Sequence, residues 1–175
     1  MYTKKIISTA LVQLLKKHKF ESITVQMILE EAYVSRSTFY KHFRDKYDLM
    51  IWYYTNHVDF LVSQYTKGHF KDLLIDEFTF IKDNQSYFSS IKNVEGVNSF
   101  WSFLYEYSKT FYTSNYLQQT GYKKLTAEEY LKLSFICAGI NEMIQVWLTN
   151  NCQEPIDKFA EWVIDILPEN LRQYL

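Results

Sequence analysis

Ser35, Arg36, Ser37, Thr38, Tyr40, Lys41, His42 and Lys46 crowd into one short stretch, with Phe39 and Phe43 set four apart between them. This mixture suits noncovalent recognition of a polyanion better than catalysis. The Arg36 fork matches guanine O6 and N7, and Ser37 is small enough to let a helix sink into a groove. Thr38, Tyr40 and His42 carry hydroxyl or ring donors that suit phosphate oxygens. Lys46 would add an ammonium in the first turn of the next helix, where free backbone amides also favour a phosphate. Singly, each residue reads more readily as solvated helix surface, and Tyr40 as an aromatic at the edge of a core. Only their concentration on one short helix points to DNA.

The flanking residues build the elements that would hold this face. Thr24 is an N-cap, and Val25, Ile28, Leu29 and Ala32 form one apolar stripe at helical spacing. Ile23 and Ile28 stand at the positions of a hydrophobic staple. Tyr33 and Val34 make a turn, Ser35 caps the next helix, and Val34 with Phe39 repeats the staple. Two short helices so close together form a helix-turn-helix, in which the N-terminal turn of the second helix reads bases. Residues 3–18 supply an amphipathic first helix through Ile7, Leu11, Leu14 and Leu15. Asp45 caps a fourth helix, running to about Tyr65.

Charge supports the same division. Net charge is −1, but residues 1–50 hold nine Lys or Arg against five acids, and the rest ten against fifteen. A basic end on an acidic body suits docking on a polyanion. A scaffold without DNA affinity would be expected to carry neutral or acidic groups in place of Arg36, Lys41 and Lys46. Catalysis finds little support, because the four histidines fall on different helices and no Gly-rich phosphate loop or nucleophile elbow is present. Neither a metal site nor a cofactor is expected: Cys137 and Cys152 are too few and too far apart for zinc or a disulfide framework, and His57, Asp59 and His69 have no chelating spacing. The N-terminus does not resemble a signal peptide, and the apolar run Leu133 to Ile140 is too short to cross a bilayer. No membrane partner is expected, and a cytoplasmic location is.

With four glycines and two prolines in 175 residues, the remainder reads as long helices at about 70–84, 86–93, 98–118, 126–149 and 155–173. Breaks are expected at Lys67-Gly68, Asn84-Gln85, Glu95-Gly96, Gly121 and Asn150 to Pro155. The expected fold is all-α with about nine helices: a helix-turn-helix domain over 1–46 and a helical dimerisation and possible effector domain over 47–175.

The segment from Ala32 to Leu49 resembles the signature V-S-x-x-T-[FL]-Y-x-H-F-x-x-K-x-x-L of TetR-family transcriptional regulators. The resemblance implies a homodimer that binds a near-palindromic double-stranded DNA operator, usually as a repressor, and responds to an effector. It matches Thr24, Thr38, Tyr40, His42 and Lys46 to phosphate-contacting positions, and Gln26, Arg36, Ser37 and Lys41 to positions facing bases or the groove wall. Tyr33 departs from the family, which usually has glycine in the turn, and is expected to alter the angle between the two helices. Lys19 also stands where glycine is common.

In the body, Ala138-Gly139-Ile140 with Trp147-Leu148 resembles the dimerising helix of a small-bodied subgroup. This suggests an interface built from Ile136, Gly139, Ile140, Met143 and Trp147, joined by Phe159, Trp162 and Ile166. The same stripes would serve equally well as the body's own core. Tyr65, Phe80, Trp101, Tyr105 and Phe111 could line an effector pocket, although aromatic stripes at helical spacing more often pack a core. Asp45 to Trp52 also resembles regulators of dihydroxyacetone-kinase operons. Some of those act with a protein co-regulator, so the effector could be a small molecule or a protein.

Overall fold

The computed structural model describes residues 2–172 apart from 67, 95, 97 and 98, and apart from the side chains of 170 and 171. Among these residues it is wholly helical: α1 (Tyr2–Leu15), a 3-10 turn (Phe20–Ser22), α2 (Val25–Ala32), α3 (Arg36–His42), α4 (Lys46–Gln64), α5 (Phe70–Asp83), α6 (Gln85–Ile91), α7 (Phe100–Thr120), α8 (Ala127–Thr149), α9 (Ile156–Asp165) and α10 (Glu169–Arg172). The tenth helix arises because the expected 155–173 element is divided. Pro168 has no backbone N–H to continue the ladder, and α10 restarts beyond it with Arg172 N–H donating to Pro168 O at 2.9 Å. The end of that expected helix lies outside the described residues, as do Lys67 and Glu95 of the expected breaks. The first helix stops at Leu15 rather than 18, where the Lys17 and His18 amides both turn back to Leu14 O.

The chain forms two compact units: residues 1–60 with 86–100, and residues 61–85 with 101–175. In the first, Ile7 and Leu11 from α1, Phe20, Ile28 from α2, Phe39 from α3 and Leu49 and Met50 from α4 are all fully buried. The start of α4 closes the same core as the three helices before it, so this unit runs on to Phe60. Tyr87 of α6 is buried in this unit and donates its hydroxyl to Met50 O at 2.7 Å. The Lys4 ammonium lies 5.2 Å from the Phe43 ring centroid and 5.5 Å from that of Trp52, a cation–π contact that ties α1 to the end of α3 and to α4.

The second unit is organised around Trp147 of α8. Its indole stacks on Phe159 of α9 at 4.7 Å between centroids and meets Phe78 of α5 edge-on at 5.9 Å. Lys71 of α5 donates to Glu161 of α9 at 2.8 Å. α8 begins in a capping box, where the Thr126 hydroxyl accepts from Glu129 N–H and the Glu129 carboxylate accepts from Thr126 N–H, satisfying amides that would otherwise be orphaned. α8 is long and apolar enough to span a membrane by length and composition, yet Leu133, Ile136, Cys137, Ile140, Ile144, Trp147 and Leu148 along it are buried in this unit.

Candidate nucleic-acid interface

Both short helices are capped as their sequence requires. The Thr24 hydroxyl accepts from Met27 N–H at 3.2 Å, and the Ser35 hydroxyl accepts from Thr38 N–H at 3.1 Å. Ser35 Oγ is also 2.9 Å from both Ser37 Oγ and Thr38 Oγ1. These three hydroxyls form one connected cluster at the tip of α3, so Ser35 organises the exposed hydroxyls there as well as capping the helix. Phe39 and Phe43 turn inward, their centroids 5.8 Å apart, and both are buried. That leaves Arg36, Ser37, Tyr40 and Lys41 exposed, with Thr38 and His42 half-buried. Arg36 and Lys41 enter no hydrogen bond or ion pair among the described residues, so both cations are available to a ligand. Gln26, exposed on α2, donates to Glu30 at 2.8 Å.

Tyr33 closes the turn with the backbone geometry of a glycine. It takes the left-handed conformation (φ 53°, ψ 42°) that glycine usually supplies at the end of a helix. Its N–H reaches Glu30 O at 3.3 Å, and Val34 N–H reaches Leu29 O at 3.1 Å, which together make a Schellman motif. The departure from the expected glycine is absorbed as local backbone strain.

Lys46 departs further from expectation. Its ammonium donates to Phe20 O at 2.9 Å, Glu21 O at 3.0 Å and Ile23 O at 2.8 Å. An ammonium has three protons, and all three are committed to the turn between α1 and α2. The helix N-terminus beside it is likewise engaged, since Asp45 Oδ1 accepts from both Tyr47 and Asp48 N–H at 2.8 Å. Burial lowers the Lys46 pKa, and the nearby Glu21 carboxylate partly offsets this. Lys46 therefore joins the α1–α2 turn to the start of α4. Lys46→Ala should destabilise the protein by about 1–3 kcal/mol through three lost charged hydrogen bonds. Losing a phosphate contact would lower the salt-dependence slope of DNA binding by about 0.9. That slope should instead stay at the wild-type value, and a reduced slope at unchanged stability would return Lys46 to the phosphate contacts.

Residues 6–51 match the bacterial regulatory proteins of the tetR family, and residues 68–169 match a transcriptional regulator C-terminal region of that family. The chain belongs to the TetR family. It is a DNA-binding transcriptional regulator. It is 26% identical over 90 residues to the HTH-type dhaKLM operon transcriptional activator DhaS of Lactococcus lactis subsp. lactis (strain IL1403); the match spans 51% of this chain and 48% of that protein, about half of each. The fold is similar to a solved structure of a dihydroxyacetone kinase operon activator DhaS. That similarity has a TM-score of 0.62 at 20% identity and covers 93% of this chain and 92% of the other.

For a TetR-family body, the residues expected at a dimer interface separate into two groups. Ile136, Ile140, Trp147 and Phe159 are buried within their own unit, so the core alternative holds for these four. Gly139 and Met143 are half-buried, while Trp162 and Ile166 are exposed. Sequence reasoning missed the outward stripe of α8: Leu131 (67% exposed), Phe135 (81%) and Val146 (49%), with Ala138 between them. At 100° per residue these positions lie opposite the buried stripe of 133, 136, 140, 144 and 147. The spacing from 131 through 135, 138, 142 and 146 would have revealed this face, had both sides of α8 been counted.

Two of the expected effector residues lie in a packed cluster of rings. Tyr65 and Phe111 pack with Phe70 and Tyr112, with centroids between 5.5 and 6.4 Å apart. Trp101 is buried, and its carbonyl accepts from Asn141 at 2.9 Å. Tyr105 lies beneath the Lys109 ammonium at 4.5 Å, and Phe80 is half-buried. A cavity of about 40 Å³ does occur in this unit, lined by Tyr116, Leu133, Ile136 and Pro168 among others. None of the five expected residues lines it, and it is far below the several hundred Å³ of a drug-sized site.

Proposed function

We propose that this TetR-family protein binds a near-palindromic operator as a homodimer and reads each half-site with the N-terminal turn of α3. The observation that carries this reading is the divided α3 helix. Phe39 and Phe43 anchor it in the core, while Arg36, Ser37 and Lys41 stand exposed, the two cations without partners among the described residues. Thr24, Thr38, Tyr40 and His42 are assigned to phosphates, and Gln26 to the groove wall. Residues 1–46 supply the DNA contacts, and the rest supplies dimerisation and control. The protein is assigned to the cytoplasm, where its operator would be.

The dimer face is assigned to Leu131, Phe135, Ala138 and Val146 of α8 with Trp162 and Ile166 at the end of α9. Covering so many exposed apolar side chains gives two copies a reason to associate. The two reading helices would then sit about one helical turn apart, roughly 34–36 Å.

Activation is the second reading of the regulatory sign, beside the repression usual in the family. It is favoured because the matched Lactococcus lactis protein is named a transcriptional activator. The packed aromatic rings of the second unit favour a protein effector over a small molecule.

Selection of duplexes from a random-sequence pool by the full-length protein tests the operator, and light scattering at micromolar concentration tests the assembly. Enriched inverted repeats and twice the 21.1 kDa chain mass are expected. Failure to enrich any duplex would sink the operator reading, and a monomer would sink the dimer.

A further inference from the structure

Among the described residues, Tyr33 is the most exposed large apolar side chain, at 95%. It is also one of three non-glycine residues there with positive φ, beside Asn151 and Cys152. Of these, Cys152 is buried and so has a packing role. Tyr33 has none. Its side chain makes no hydrogen bond or ring contact among the described residues, although its backbone closes the turn as a glycine would. A bulky side chain held in a conformation that L residues rarely adopt, with nothing among the described residues to receive it, points to a role in binding a partner.

Its surroundings suggest what that role is. Tyr33 lines an open groove with Gln26, Leu29, Glu30, Val34 and Arg36. The ring thus shares one surface with the arginine assigned to read a base, and it stands two residues before the cap of the reading helix. The Glu30 carboxylate, which accepts from Gln26, and the exposed Glu31 make this edge unsuited to a phosphate. The apolar group that a base pair presents in the major groove is the thymine 5-methyl.

We propose that Tyr33 is a specificity residue: its ring packs against a thymine methyl beside the base read by Arg36. The inference rests on the DNA-binding reading above. Tyr33 would then give this protein one more base of discrimination than a glycine at that position can provide.

The test uses the full-length protein and a labelled duplex recovered from a random-sequence pool with the wild type. Tyr33→Gly should raise or preserve the melting temperature, because glycine adopts the left-handed turn without strain. The same variant should bind the selected duplex about fivefold or more weakly. Replacing one thymidine per half-site by deoxyuridine, which removes only the methyl, should weaken the wild type and leave Tyr33→Gly unaffected. Tyr33→Phe should bind within about twofold of the wild type, because the ring rather than the hydroxyl makes the contact. The proposal is overturned if Tyr33→Gly binds as tightly as the wild type, if every deoxyuridine substitution affects both proteins alike, or if Tyr33→Phe loses as much as Tyr33→Gly. Each of these leaves the Arg36 reading intact. A wild type that enriches no duplex at all would remove both readings.

Discussion

Trp147→Ala is expected to destabilise the second unit by about 3–5 kcal/mol, the usual cost of deleting a fully buried large aromatic. The indole is 1% exposed, stacks on Phe159 and meets Phe78 edge-on, and donates from Nε1 to Glu154 O at 3.3 Å. Its removal leaves a cavity between α5, α8 and α9 and strands a carbonyl. Against a typical total stability of about 5–15 kcal/mol, this is a large fraction. Trp162, on the next helix along the chain and 47% exposed, should behave differently. Trp162→Ala should cost stability in proportion to how much of the protein is dimeric, so its effect should depend on protein concentration, while that of Trp147→Ala should not. Urea unfolding at two concentrations well apart distinguishes them. The same concentration-independent loss from both variants would show that the two tryptophans do not divide between core and interface.

Arg36→Ala is expected to weaken binding to the selected duplex by about 1–3 kcal/mol, roughly five- to 150-fold, while barely changing binding to a scrambled duplex. The asymmetry follows from geometry. A bidentate fork to guanine is made only on the matched site, whereas a phosphate contact is made on any duplex. Lys41→Ala, by comparison, should weaken both duplexes if its exposed ammonium serves the groove wall rather than a base edge. Fluorescence anisotropy on the two duplexes at one fixed salt concentration decides this. If Arg36→Ala lowered both affinities equally, Arg36 would be a phosphate contact, and base reading would have to come from Ser37 and Gln26.

Local rules make the reading end legible in the amino-acid sequence. Thr24, Ser35 and Asp45 are caps because short polar side chains satisfy free amides at helix starts, and each does so here. Phe39 and Phe43 face inward because they lie four apart on one side of α3, and this leaves Arg36, Ser37 and Lys41 outside. All these relations span a few residues, so spacing along the chain stands in for distance in space. The same is true of Tyr33, whose left-handed turn could have been anticipated from the glycine usual at that position. That the turn keeps its form, at the cost of strain, could not.

The body was legible as helices but not as faces. α8 carries apolar residues on two opposite sides, and periodicity alone does not say which side its own subunit covers. Packing against Phe78 of α5 and Phe159 of α9 assigned Trp147 to the core and left Phe135 outside. Lys46 follows the same logic: its three carbonyl partners lie 23 to 26 residues away, beyond the reach of any local rule. By itself, then, the sequence determined the helices, their caps and the residues that α3 leaves exposed, because those depend on neighbours within a turn or two. Only the tertiary structure decided that Lys46 holds the α1–α2 turn, that α8 turns Leu131 and Phe135 outward, and that the aromatic rings near Phe111 fill one another's space. Those outcomes depend on which distant segments meet.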